Sequence, residues 1–183
     1  PMTMTCDSQG RILWGEYWSN HERREVRLFC SHDSGRSYEP FWEFKNGQAK
    51  HVHNIVEDPY DQCYWVLVGD HGEEPGIGRL SYDLKDLDWL VKGADQKYRV
   101  VNAFVFPDKL IYATDTEKDY NGIYTIDKQS GKIEKLCDTP GSSIYAAKFG
   151  RWYVVGTSVE HFELYNTDIA TLWASSNALD WQR

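Results

Sequence analysis

Ser31-His32-Asp33-Ser34-Gly35-Arg36-Ser37-Tyr38 encodes a tight turn in eight residues. An aspartate here can accept hydrogen bonds from backbone N–H groups of its own turn. Glycine supplies a positive φ, and the closing aromatic can tuck beneath a hairpin. Three related segments follow: Ser81-Tyr82-Asp83 leading to Trp89, Thr125-Ile126-Asp127 leading to Gly131, and Ser175-Ser176-Asn177 leading to Trp181. Their third positions, at 33, 83, 127 and 177, are 50, 44 and 50 residues apart. That period suits a four-stranded unit and is too regular for unrelated turns.

Each interval divides into short runs rich in Val, Ile, Tyr and Trp between Gly, Asp and Pro turns, which is an all-β pattern. Radial repetition of such units predicts a β-propeller with four four-stranded blades, approximately 3–47, 48–96, 97–138 and 139–183, in one region spanning 1–183. Four units either close on themselves, complete themselves by pairing with a second copy, or derive from a longer parent. Open blade edges invite self-association, so a homodimer across an open side is expected. Two stretches carry a helical alternative: the stripe Leu80, Leu84, Leu87 and Leu90/Val91, and the charged segment Asn20–Phe29.

The 183 residues hold 20 Lys+Arg against 28 Asp+Glu, a net charge of −8. That balance argues against nucleic acid and anionic membrane as main partners, because both demand a basic face. No apolar stretch approaches the roughly 18 residues of a spanning helix. The start PMTMTCDSQG lacks a signal-peptide core, which makes a cytoplasmic location the default expectation. Cys6, Cys30, Cys63 and Cys137 form no CxxC pair and read as free thiols; disulfides stay open, since the chain could be a fragment that has lost its leader. With 8 Trp, 12 Tyr and 7 Phe, the chain is far from a disordered composition.

The first turn matches the Asp-box pattern through Ser31, Asp33, Gly35 and Tyr38, and so resembles the sialidase-like, or BNR-repeat, β-propellers. The segment His51-Val-His-Asn-Ile-Val-Glu-Asp-Pro-Tyr, followed by Tyr-Trp-Val-Leu-Val-Gly-Asp, also looks like a blade opening in that group. The resemblance implies a truncated or partial member, and a fold rather than an activity. Sialidases need three arginines for the substrate carboxylate, a Tyr/Glu nucleophile pair and an acid Asp. Their opening Arg-Ile-Pro motif is absent here, so sialidase chemistry is not carried over.

Propellers bind ligands at one mouth of the central channel, with the Asp-box turns on the opposite rim. Sorting by this rule puts His21, His51, His53, His71 and His161 on the mouth side, joined by Trp18, Asn20, Asp70, Asp115 and Glu160. Aligned innermost strands add Asn102 and Tyr145 beside His53. His51 and His53, two apart on a strand, share a face. With Asp70 and His71 they are the candidate catalytic group, open to three readings: channel residues satisfied by backbone and water, a divalent-metal site on His51 and His53, or acid/base groups. Some propeller-fold pectate-fragment lyases resemble this in placing a Gln three residues before an H-x-H, the place Gln48 holds.

Asp70 and Asp115, in comparable loops of adjacent blades, read either as solvated loop residues or as the carboxylate pair of a glycosidase, about 5–9 Å apart. Trp18 reads as a sugar-stacking platform, while Trp65 and Trp152 read as inter-blade core. Arg23 and Arg24 are either a solvated loop or an anion clamp. No phosphate-binding glycine loop and no G-x-S-x-G elbow is present. The expected function is recognition or processing of a carbohydrate at the mouth, either as a glycoside hydrolase or as a polysaccharide lyase. The alternatives are a non-catalytic platform for protein partners and an inactive fragment.

Overall fold

The computed structural model of the chain describes residues 1–164 and 167–183. The fold is an all-β propeller of four antiparallel sheets, each running outward in chain order. The first contains β1 (Thr5–Cys6), β2 (Ile12–Gly15), β3 (Val26–Ser31) and β4 (Glu39–Phe44). The second contains β5 (Val52–Asp58), β6 (Cys63–Val68), β7 (Gly76–Ser81) and β8 (Leu87–Lys92). The third contains β9 (Val100–Val105), β10 (Lys109–Thr114), β11 (Gly122–Asp127) and β12 (Ile133–Asp138). The fourth contains β13 (Ser143–Phe149), β14 (Trp152–Thr157) and β15 (Leu172–Ser175), with an isolated Ala174–Gln182 bridge where an outer strand would lie.

Both stretches with a helical alternative are extended: β7 and β8 occupy the first, and β3 starts within the second. Among the described residues the helical element is one 3₁₀ turn, Gln96–Tyr98, and no helix is long and apolar enough to cross a membrane. All four cysteines are free thiols, Cys30 and Cys63 buried and Cys6 exposed.

The chain divides into two compact units, residues 1–98 and 99–183, each holding two sheets. In the first unit, Leu13, Val26 and Leu28 of one sheet pack against Val52, Tyr64, Val66 and Leu80 of the next. Gly15 permits that approach, since a Cβ there would lie 2.3 Å from Cβ of Val52. The contact is tied by a backbone hydrogen bond from Val52 N to Glu16 O of 2.9 Å. A buried polar knot lies between the same sheets. Asp7 accepts from Arg11 Nε at 2.7 Å and from the Tyr64 hydroxyl at 2.6 Å.

In the second unit, Ile111, Ala113 and Ile123 pack with Val155, while Phe104 meets Tyr153 edge-on at 5.1 Å and Trp181 at 6.2 Å. Trp65 is fully buried and donates to Asp58 at 2.9 Å. Trp152, expected in the inter-blade core, is instead 44% exposed, because it alternates onto the outer face of β14.

The recurring turns share one scheme. Ser31, Ser81 and Ser175 donate from their hydroxyls to Asp33, Asp83 and Asn177. The next residue has a positive φ each time: Ser34, Leu84 and Ala178. The second and fourth turns, which depart from the full motif in sequence, therefore keep its physics. The third differs: Asp127 accepts from Gln129 N, Ser130 N and the Ser130 hydroxyl.

Candidate functional site

In the first unit three side chains converge on one point. His51 Nε2, His53 Nε2 and Asp70 Oδ1 form a triangle with every edge 3.1 Å. All three residues are buried, and among the described residues they are the one such group able to hold a metal ion. The site lies where β5 begins and β6 ends. The Ser81–Asp83 turn lies at the other end of the same sheet, beside Cys63 and Asp58.

Local backbone chemistry places each donor. β5 pairs with β6 as Val52 to Val68 and then Asn54 to Leu67, so His53 is the extra residue of a β-bulge. A bulge re-aims the side chain it carries, here into the cluster. Gly69 is the second device. Its φ is +91°, and a Cβ would stand 2.4 Å from the carbonyl carbon of Glu74 and from Pro75 N. The chain can turn there only as glycine, and the turn delivers Asp70 to the histidines.

The Trp18 carbonyl lies 3.3 Å from His51 Nδ1. Tyr17 stacks on the His51 ring with centroids 4.1 Å apart. Lys50 Nζ sits 2.6 Å from Asp70 Oδ2, leaving Oδ1 to the cluster. Burial works to raise the Asp70 pKa, but hydrogen bonds from His51 and His53, and the Lys50 ammonium, hold the carboxyl far below the usual range. A first-row divalent ion would fit this arrangement. Donors about 2.0–2.2 Å from one ion lie about 3.0 Å apart at right angles and about 3.4 Å apart at the tetrahedral angle, and the observed 3.1 Å falls between. Two imidazoles and a carboxylate on one face are a recognised set for such ions.

Other candidates are placed differently. His71 follows Asp70 but is not a member of the group; its carbonyl accepts from Glu74 N. Asn20 is fully buried and staples its loop, donating to Arg24 O and Lys50 O and accepting from Arg24 N. His21 and Trp18 border a small surface cavity, with Trp18 42% exposed. Arg23 pairs with the buried Glu74 at 2.7 Å and Arg24 with Glu22, so neither arginine presents a bare clamp. Gln48, exposed, accepts from Lys45 N at 2.8 Å through its side-chain oxygen.

The second unit holds the remaining candidates. Asn102 donates to Ile144 O at 2.6 Å, and Asp115 lies 3.5 Å from Arg99. Glu160 is half-buried, and His161, exposed, lies 3.8 Å from Asp168. Tyr145 is 72% exposed on the sheet face, because the bulge of β13 falls at Ile144 and shifts the alignment by one residue. Sequence reasoning missed Tyr17, Lys50 and the Trp18 carbonyl. Their one signal was adjacency, since Lys50 precedes His51 and Tyr17 precedes Trp18.

No family model matches the chain, and no curated protein matches it. Solved propeller structures do. An oligogalacturonate lyase in complex with manganese superposes with a TM-score of 0.60 at 12% identity, over 94% of this chain and 49% of that one. TolB from Acinetobacter baumannii gives 0.56 at 14% identity, over 90% and 37%. A puromycin hydrolase S511A mutant complexed with PGG gives 0.58 at 17%, over 94% and 28%. The chain thus spans about half or less of each of these three structures, and the likeness is one of fold.

Proposed function

We propose that His51, His53 and Asp70 form a divalent-metal centre through which this propeller recognises and processes an acidic carbohydrate. The triangle of donors carries the reading. A carbonyl can only accept, so in the Trp18 contact His51 donates from Nδ1. A bound cation would take the place of the protons that otherwise bridge His51 Nε2, His53 Nε2 and the Asp70 oxygen, leaving each of the three an electron pair for the ion.

When bound, the ion would supply positive charge for a substrate carboxylate, making the adjacent C–H of a uronate more acidic. The chain's own residues do the rest. Trp18 fixes the imidazole tautomer, Lys50 holds Asp70 ionised, and half-exposed Tyr17 and Trp18 offer ring faces to a pyranose. The manganese and oligogalacturonate named for the similar lyase support this choice of ion and substrate. The recurring Ser-to-Asp turn supports kinship with the Asp-box propellers.

The test is calorimetric titration with Mn²⁺, followed by ultraviolet detection of the unsaturated product from oligogalacturonate. One ion per chain, lost in His53→Ala with an unchanged circular dichroism spectrum, is the expected result. Absence of stoichiometric Mn²⁺, Zn²⁺ or Fe²⁺ binding overturns the metal centre. Binding without product formation or oligogalacturonate affinity overturns the substrate assignment.

A further inference from the structure

The fourth sheet shows an outer face made of apolar positions alone. Across β13 and β14, Tyr145 pairs with Gly156, Ala147 with Val154 and Phe149 with Trp152. Across β14 and β15, Gly156 pairs with Leu172 and Val154 with Ala174. Directly paired residues share a face, so these eight lie together. Tyr145, Phe149 and Leu172 are 72%, 65% and 69% exposed, and a cavity of about 650 Å³ opens along the face. With Trp152 they leave about 500 Å² of large side chain in water, taking roughly 200 Å² for each. Patches of that size on soluble proteins mark interaction sites.

What covers such a face is visible between the third and fourth sheets. There Phe104, Ile111 and Ile123 meet an aromatic face carrying Tyr153, Trp173 and Trp181. Trp181, closing the fourth turn, lies along Phe104 of the neighbouring sheet. Tyr38 closes the first turn in the corresponding place. Among the described residues its ring contacts are Trp14 and Phe29 of its own sheet, at 5.4 and 5.7 Å, and it stays 66% exposed. The first sheet therefore presents the kind of aromatic face that the fourth sheet's outer face would receive.

We infer that two copies of this chain associate, the outer face of the fourth sheet of one seated on the Trp14–Phe29–Tyr38 face of the other. Two equivalent contacts of this kind, each joining about 500 Å² of the fourth-sheet face to the less exposed aromatic face, bury about 1,500 Å² in all, close to the roughly 1,600 Å² of a standard interface. The inference does not depend on the metal centre.

Analytical ultracentrifugation of the whole chain tests it. A species of twice the 21.3 kDa chain mass is expected. Leu172→Lys and Tyr38→Lys should each weaken dimerisation at least tenfold with unchanged circular dichroism. The pairing itself is read by crosslinking in a Cys6→Ser background. Tyr38→Cys and Leu172→Cys proteins should form a disulfide when mixed and none when kept apart. A monomer at all concentrations overturns the inference. So does a dimer indifferent to both lysine substitutions, or Leu172→Cys crosslinking to itself.

Discussion

His51 Nδ1 and the Trp18 carbonyl oxygen lie 3.3 Å apart, joining the first inner strand of the second sheet to the loop that leaves β2. This contact decides which imidazole nitrogen faces Asp70. It also makes the loop from Gly15 to Asn20 part of the metal centre without contributing a ligand. Outer-shell partners of this kind orient a ligand and are costly to lose.

Removing a ligand should cost more than removing its support. His53→Ala or Asp70→Ala should weaken Mn²⁺ binding by well over the 10–100-fold typical of an outer-shell loss. In the wild type, Mn²⁺ at about 100 times its Kd should stabilise the fold by about 2.7 kcal/mol. Both variants should lose that stabilisation in a thermal melt. A variant that keeps the full metal-induced shift would contradict the assignment.

Gly69→Ala should act on the site through the backbone. The new Cβ meets the Glu74–Pro75 peptide at 2.4 Å, in a φ region that L-residues avoid. Strain of this kind costs about 1–3 kcal/mol. Relief by local movement would displace Asp70 from the histidines. The expected outcome is weaker metal binding combined with a lower melting temperature. Unchanged affinity would show that Asp70 is held by something other than this turn.

The Asp7–Arg11–Tyr64 knot makes a prediction about the fold alone. The Asp7 side chain is fully buried, and Arg11 is 12% exposed. Burial tends to raise the Asp7 pKa, but hydrogen bonds from Tyr64 and Arg11 keep the carboxyl below its ordinary value. Asp7→Ala would strand a largely buried guanidinium and should cost about 3–5 kcal/mol. Urea denaturation gives the number directly. A loss below about 1 kcal/mol, the scale of an exposed pair, would mean the knot is solvated in solution.

Much of this was legible in sequence because its causes are local. A Ser-x-Asp turn needs only its own six or seven residues, and two of them with two related turns at near-even spacing announce four sheets. His51 and His53 were legible as a pair, and Asp70 as a neighbour, from strand alternation and a βββ order. What escaped depends on register. A β-bulge inserts one residue without any local signature, so His53 and Ile144 occupy the corresponding bulges while Tyr145 falls on the outer face. Lys50 and Tyr17 escaped because their partners are distant in the chain: Asp70 lies 20 residues away at the end of the neighbouring strand, and His51 lies 34 residues away across the contact between the first two sheets. Trp152 read as core because alternation tells which residues share a face, but not which face is covered.

The first turn carries a pH dependence whose sign is fixed by its hydrogen bonds. Backbone and side-chain hydrogen bonds from Ser37, with one from the Ser31 hydroxyl, hold the Asp33 carboxyl down to about 2. In the unfolded chain the same group titrates near 3.9. Between these values the unfolded state binds the proton more readily, so the turn's contribution is complete above about pH 4 and fades as the pH falls toward 2. Asp33→Asn keeps one acceptor oxygen, as Asn177 does naturally in the fourth turn, and cannot ionise. The variant should be less stable at neutral pH and should lose less stability than the wild type between pH 4 and 2. Thermal melts of both proteins across that window read the difference, and parallel acid profiles would show that the turn does not lower the Asp33 pKa below its unfolded value.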